Sequence, residues 1–300
     1  MGNSQSVTVK VPGTCGELIQ GSLNGKNRLV TCPVKIFSYV TVSFVNHSYQ
    51  LQHSNLKNSW KAKEALKKVL QHFNLEDLFN KLQFDIHSEI PIAKGMASST
   101  ADIVGICLAT AKLLTKSISE KTVADIAISI EPSDGTMFNG IAIFDYFRAS
   151  MFKILGNPPK MKILVIDTGG EIDTIEFNKK DYKKERLSNE AKVKEAIELL
   201  KDGLRKNDLN LVGKAATISA ICNQKILFKP ELERVIETGR EFNAYGVNVA
   251  HSGTVIGILL NTEFNEFDTL KEEINQAFNK KFKFYITELT NGGGCNESSA

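Results

Sequence analysis

The hydrophobic positions of this chain change period several times, and each change predicts an element. Val7, Val9 and Val11 alternate with polar residues, the two-residue period of a strand with one inward face. Strands are also predicted near residues 28–31, at 34–45 with Ile36, Val40, Val42 and Phe44 sharing a face, at Leu82, Phe84 and Ile86, and at 141–145. Asn58 or Ser59 caps a helix whose inner stripe is Ala62, Leu66, Val69, Leu70 and Phe73, and Ser119 caps another with Val123, Ile126, Ala127 and Ile130 facing in. Residues 103–114 are apolar or small on nearly every face, which predicts a helix buried on all sides. Pro158-Pro159 marks a boundary, so that residues 1–158 form one domain and 159–290 a second. The second opens on a buried strand at 161–167, continues with helices near 188–206, 208–223 and 230–245, and closes with a strand, turn and strand over 247–260, a helix at 266–279 and a strand at 283–288. That succession suits a two-layer α+β domain. The polar, glycine-rich residues 291–300 predict a disordered tail.

Chemistry gathers in the segments that break these periods. Residues 91–105 run from Pro91 through Lys94, Gly95, Met96, Ala97, Ser98, Ser99 and Thr100 into the buried helix. The first N–H groups of a helix have no intrahelical acceptor and the macrodipole adds positive charge there, so an anion at residues 97–100 meets donors already aimed. Gly95 admits a close ligand, and three successive hydroxyls suit phosphate oxygens or a metal ion. Capping chemistry alone accounts for the same residues, with Ser98, Ser99 and Thr100 as an N-cap cluster and Gly95 as a turn. Residues 12–21 carry three glycines and Glu17 in a predicted loop after the first strand, the composition of a ligand loop or of a plain connection with Glu17 solvated. Pro132 stops the helix before it, leaving Glu131 and Asp134 at the end where the dipole disfavours acids. A cation there would offset them, and Mg²⁺, which takes one or two carboxylates plus phosphate oxygens, is the natural candidate; a solvated helix end is the plainer reading. His251, Ser252 and Gly253 form a turn between two strands, and no neighbouring carboxylate marks His251 as a catalyst.

Composition narrows the choices. Three hundred residues at 42% hydrophobic content suffice for a large core, and a net charge of +3 without a basic block argues against nucleic acid as a partner. No run is long enough to span a membrane and no signal-like segment opens the chain. The five cysteines show neither CxxC nor zinc spacing, which fits a reducing cytosol, so a cytoplasmic protein is expected. Cys15 has no nearby histidine in sequence to activate it as a nucleophile. Walker A, HRD, DFG, HExxH and GxSxG patterns are all missing, which removes the commoner phosphotransferase and hydrolase architectures.

The segment at 91–105 resembles the second motif of the GHMP kinases, with Met96 in place of the usual Leu and Thr100 in place of the final small residue. The resemblance implies a two-domain α+β fold, an N-terminal ribosomal-protein-S5-like domain followed by a ferredoxin-like one, and ATP with Mg²⁺ as cofactors. It implies that Pro91, Lys94, Gly95, Met96, Ala97, Ser98, Ser99 and Thr100 hold ATP, that Ser99 and Glu131 share the metal, and that Asp134 serves as base or orients the acceptor hydroxyl. Residues 12–21 stand where the first motif lines the acceptor side, although Thr14 replaces a lysine found in several members, so no role can rest on that lysine. His251, Ser252 and Gly253 stand at the third motif with less glycine than usual. Three strings, TCGELIQG, PIAKGMASSTAD and SIEPSD, together with NVAHSG, resemble a narrower branch, the L-threonine kinases of cobalamin synthesis. That likeness implies phosphorylation of L-threonine to O-phospho-L-threonine, with Glu17, Gln20, His251, Ser252 and Gly253 toward the substrate; a zwitterionic substrate also needs an acceptor for its ammonium, for which Glu17 is a candidate. Another GHMP small-molecule kinase, such as a homoserine kinase, and a non-catalytic ATP-binding protein are the alternatives; oligomeric state stays open.

Overall fold

The computed structural model describes residues 6–45, 59–172, 177 and 179–296. Its first two strands, β1 (Ser6–Leu23) and β2 (Lys26–Phe44), form a long antiparallel pair at the centre of the molecule. β3 (Leu82–Ser88) pairs with the far half of β2, while β4 (Ile141–Phe144) and β5 (Phe152–Gly156) extend from its near half. β6 (Lys162–Asp167), β7 (Gly246–Val249), β8 (Val255–Leu260) and β9 (Lys283–Glu288) complete the sheet in the order β5-β4-β2-β1-β7-β8-β6-β9. All these pairings are antiparallel, and the strands of both halves belong to one sheet joined where Glu17 of β1 meets Val249 of β7. With helices on its faces the chain is α+β.

The helices follow the predicted stripes. α1 (Ser59–His72) and α3 (Glu120–Ile130) pack around α2 (Ser98–Leu113), which lies on β1 and β2. Sandwiched this way, α2 buries residues around its whole circumference; Ile103 and Ile106 are fully buried, each contributing on the order of 2 kcal/mol. Ser119 caps α3 by accepting from the Thr122 N–H at 3.0 Å. Asn58, one of the two candidate caps of α1, lies outside the described residues. In the second half α4 (Lys183–Ser188) precedes α5 (Glu190–Lys206) and α6 (Leu209–Asn223), which pack on β1, and α7 (Leu232–Glu241) with α8 (Phe267–Ala277) cover a second apolar cluster around Leu164, Val247 and Ile258.

Two expectations are corrected. Residues 12–21 are not a loop but the continuation of β1, with register shifts after Pro12, Thr14 and Glu17. Glycine and polar residues break the apolar alternation, yet the backbone keeps pairing through bulges. Gly16 adopts a left-handed φ of +54°, and a Cβ on it would lie 2.4 Å from the Val249 carbonyl oxygen, so glycine is what lets β1 approach β7. The stretch after Asn291 is ordered as far as it is described: the Gly293 N–H donates to the Thr136 carbonyl at 2.7 Å, and β10 (Cys295–Asn296) pairs with Lys10 and Val9. Residues 297–300 lie outside the described residues.

Candidate active site

The loop at 91–97 is held from both halves of the chain. Its Met96 carbonyl accepts from the Thr14 N–H and its Lys94 carbonyl from the Thr254 N–H, both at 3.0 Å. Gly95 lies against Gly253 so closely that a Cβ on Gly95 would come within 2.7 Å of the Gly253 Cα, and its φ is +75°. Ala93, Gly95 and Ala97 all take left-handed φ, so the loop turns tightly before entering α2. Ala97 is the N-cap of α2, with φ 61° and no side-chain acceptor for the helix. The capping explanation therefore fails: Ser98, Ser99 and Thr100 are inside the helix, and the N-cap residue offers its first amides no side-chain acceptor.

A cavity of about 340 Å³ opens on this helix start, lined also by Glu17, Trp60, Lys61, Glu131, Asp134 and His251. Glu131 leaves the C-terminal end of α3 in extended conformation. One of its oxygens accepts a short hydrogen bond from Ser99 Oγ, and the other accepts from Lys61 Nζ at 2.7 Å. The offsetting cation expected near these acids is thus supplied by the chain itself, from α1. Ser99 Oγ and the adjoining Glu131 oxygen remain a pair of hard oxygen donors of the kind Mg²⁺ takes beside phosphate. Two such oxygens fit an ion that takes its other ligands from phosphate and water.

Asp134 and Glu17 share a hydrogen bond at the inner wall. Burial, then the charge of Asp134 and the bond to it, hold the Glu17 carboxyl well above the usual range, so Glu17 keeps its proton and donates it. Asp134 is pushed up to about 6 by burial, with the Glu17 hydrogen bond pulling it down and the Glu131 charge pushing it up. Behind the helix, Asp102 accepts from Ser38 Oγ at 2.6 Å and is raised by burial to about 6.

The substrate-side residues sort differently. His251 and Ser252 line the cavity, whereas Gln20 is buried behind it, its Oε1 3.0 Å from His251 Nδ1. Gly253 is packed on Gly95, and its carbonyl accepts from the buried Lys229 Nζ at 2.7 Å, so it shapes the loop instead of facing the cavity. Lys94 also turns away, paired with Asp167 at 3.2 Å and donating to the Gly170 carbonyl at 2.6 Å; a cation flanked by these acceptors is drawn out of the anion loop. Pro91, Gly95, Met96, Ala97, Ser98, Ser99 and Thr100 all line the cavity. Lys61 and Trp60 were missed because they sit far from the motifs in sequence and no spacing signal links Lys61 to Glu131. Cys15 is buried against Asn248 and pushed up to about 12 by burial, which removes it as a nucleophile.

An uncapped helix start facing three carboxyl groups in an α+β fold defines a small-molecule kinase, and the chain belongs to the GHMP kinases. Models of the GHMP kinases N terminal domain and the GHMP kinases C terminal region match residues 61–149 and 196–280. Within the family it is similar to the L-threonine kinase of Salmonella typhimurium, 35% identical over 94% of this chain and 93% of that one, and to the L-threonine kinase of Citrobacter freundii, 34% identical over 88% and 90%. A homoserine kinase of Lactococcus lactis is 26% identical over 76% of this chain and 78% of its own. In structure it resembles the homoserine kinase of Cytophaga hutchinsonii, with a TM-score of 0.70 at 16% identity over 98% of both chains. A solved complex of MDDEF with MVAPP, AMPPCP and magnesium has a TM-score of 0.68 at 15% identity, covering 98% of this chain and 100% of its own. No helix among the described residues is long and apolar enough to cross a membrane.

Proposed function

We propose that the protein transfers the γ-phosphoryl group of ATP to the side-chain hydroxyl of L-threonine, releasing ADP and O-phospho-L-threonine. The observation that carries this reading is the single cavity in which the open start of α2 faces Glu131, Asp134 and Glu17, in a chain similar over most of its length to L-threonine kinases. Phosphoryl transfer asks chiefly for positioning and charge neutralisation. The amides opening α2 receive the phosphates, with the loop at 91–97 folded around them. Ser99 and Glu131 hold Mg²⁺, and the ion, when bound, neutralises charge on the phosphate oxygens. Lys61, already on Glu131, adds a second positive charge beside them. Asp134, at about 6, is mostly ionised at neutral pH yet basic enough to orient the hydroxyl or take its proton. Glu17, His251 and Ser252 form the acceptor end. Use of the product in the aminopropanol linker of cobalamin is part of this proposal and rests on the motif resemblance; the free cysteines support a cytoplasmic setting.

A coupled ADP-release assay across L-threonine, L-homoserine, L-serine and mevalonate tests the assignment. Threonine is expected to give the highest kcat/KM. Preference for homoserine would transfer the chain to that branch, a second reading favoured by its Lactococcus lactis relatives. Asp134→Ala is expected to lower kcat by at least about 100-fold with nucleotide binding retained; near-normal turnover would refute the role given to Asp134.

A further inference from the structure

Two residues lining the cavity each keep a buried side-chain atom without a partner among the described residues, Glu17 at Oε2 and His251 at Nε2. His251 follows β7, its ring held edge-on by Tyr146 and Phe177 at centroid distances of 4.9 and 5.4 Å. Gln20 decides which ring nitrogen carries the hydrogen. Its Nε2 donates to the Val249 carbonyl at 3.2 Å, which turns its Oε1 toward His251 Nδ1 at 3.0 Å. An amide oxygen only accepts, so Nδ1 is the N–H and Nε2 is a bare acceptor. Nε2 is buried and has no partner among the described residues. Burial first, then the Arg186 and Lys229 charges, push the imidazole down to about 3, so it stays neutral at physiological pH.

A buried acceptor without a donor is costly, and this one belongs to a residue of the cavity wall. Phosphate oxygens offer it nothing, because they too accept. Asp134, mostly ionised at neutral pH, lines the same cavity and favours a cation. Glu17, which donates to Asp134, also keeps a buried oxygen, Oε2, without a partner, so His251 Nε2 is one of two wall acceptors open to a donor from the substrate. Resting on the reading of the acceptor as L-threonine, we propose that His251 Nε2 accepts a hydrogen bond from the α-ammonium of the amino-acid substrate, and that Gln20 is the positioning residue that keeps this nitrogen unprotonated. The pair selects amine-bearing hydroxy acids over plain hydroxy acids of the same shape.

The test compares L-threonine with (R)-3-hydroxybutyrate, which has the same carbon skeleton and hydroxyl but hydrogen in place of the ammonium. His251→Phe keeps a ring between Tyr146 and Phe177 and removes the lone pair; Gln20→Met keeps the volume and removes the lock. His251→Phe is expected to lower kcat/KM for threonine about 10- to 100-fold, chiefly through KM, and to leave that for (R)-3-hydroxybutyrate within about twofold. Gln20→Met is expected to move in the same direction by a smaller factor. Where turnover of the analogue is too slow to follow, its inhibition constant against threonine supplies the comparison. Equal losses on both compounds would overturn the proposal, since they mark a ring that serves the hydroxyl or the fold; so would no loss on either. If the parent enzyme ignores threonine but phosphorylates another hydroxy amino acid, the functional reading fails alone, and that acceptor with its deamino counterpart tests His251 in the same way.

Discussion

Glu17→Leu isolates what the carboxyl pair contributes. In the parent, the hydrogen bond from Glu17 lowers the Asp134 carboxyl against the effect of burial and leaves it at about 6. A hydrogen bond to a charged acceptor contributes roughly 1.5–3 kcal/mol and a pKa unit corresponds to about 1.4 kcal/mol, so removing the donor raises Asp134 by about one to two units. The ionised form is the one able to accept the hydroxyl proton, so activity is lost on the acid side of this pKa. At pH 7 a group at about 6 is roughly nine-tenths ionised and one at about 7.5 roughly a quarter, which predicts a three- to fourfold fall in kcat that is recovered by about pH 9. Glu17→Gln retains an N–H donor and is expected to keep the acid limb near its original position. The measurement is kcat against pH at saturating threonine and ATP, with nucleotide binding as the check that the site is intact. An acid limb that stays in place in Glu17→Leu, or that moves equally in both variants, refutes the reasoning.

Further outcomes follow from the same geometry. Gly95→Ala sets a Cβ 2.7 Å from Gly253 Cα in a left-handed residue and is expected to cost about 2–4 kcal/mol in denaturant unfolding, with at least about tenfold weaker ATP binding. Lys61→Met leaves Glu131 without its cation; the variant is expected to melt at a lower temperature than the parent and to gain more from added Mg²⁺ with ATP, and equal gains in a thermal-shift series would argue against a metal at Glu131. Asp102 releases its proton near 3.8 when unfolded and near 6 when folded, so the folded state binds the extra proton and the parent loses stability as pH rises through that window. Asp102→Asn removes this loss, and its stability relative to the parent is expected to improve by on the order of 2–3 kcal/mol between about pH 4 and 7 in urea titrations; an unchanged difference would show that Asp102 is not raised.

Where local pattern and tertiary packing agree, the fold was legible. The buried helix α2, the stripe of α1 and the Ser119 cap all follow from spacing alone, because each expresses a single period or a single capping bond. Residues 12–21 misled because their glycines and polar groups look like loop chemistry, while their pairing with residues 28–37 passes through bulges that break the two-residue period and with Val249 joins a partner distant in sequence. Met96, Ser99, Glu131 and Asp134 were legible as a group only through their resemblance to known motifs; physics alone left a capping cluster as an equal reading of the loop and a solvated helix end as the plainer reading of the acids. Lys61 was invisible for a simple reason. Its partner Glu131 is brought to it by the packing of α1 on α3, and neither helix signals that contact in its own period.

The two residues whose predicted roles were displaced explain how the site is held. Lys94 reaches Asp167 at the end of β6, and the same carboxylate accepts from Thr254 Oγ1 at 3.0 Å, just beyond the turn that contains Gly253. Lys229 fastens that turn from the other side through the Gly253 carbonyl. The anion loop is therefore tied to the second half of the chain through Lys94, Asp167 and Thr254, and to β1 through Thr14 and Met96. Glu17 belongs to β1 as well, one pairing away from β7. The loop that opens α2 and Glu17 are thus both fixed to β1, the loop also to the turn before β8 and Glu17 also to β7. For the proposed reaction, governed by alignment more than by covalent chemistry, that shared anchorage on β1 would set the distance between donor and acceptor.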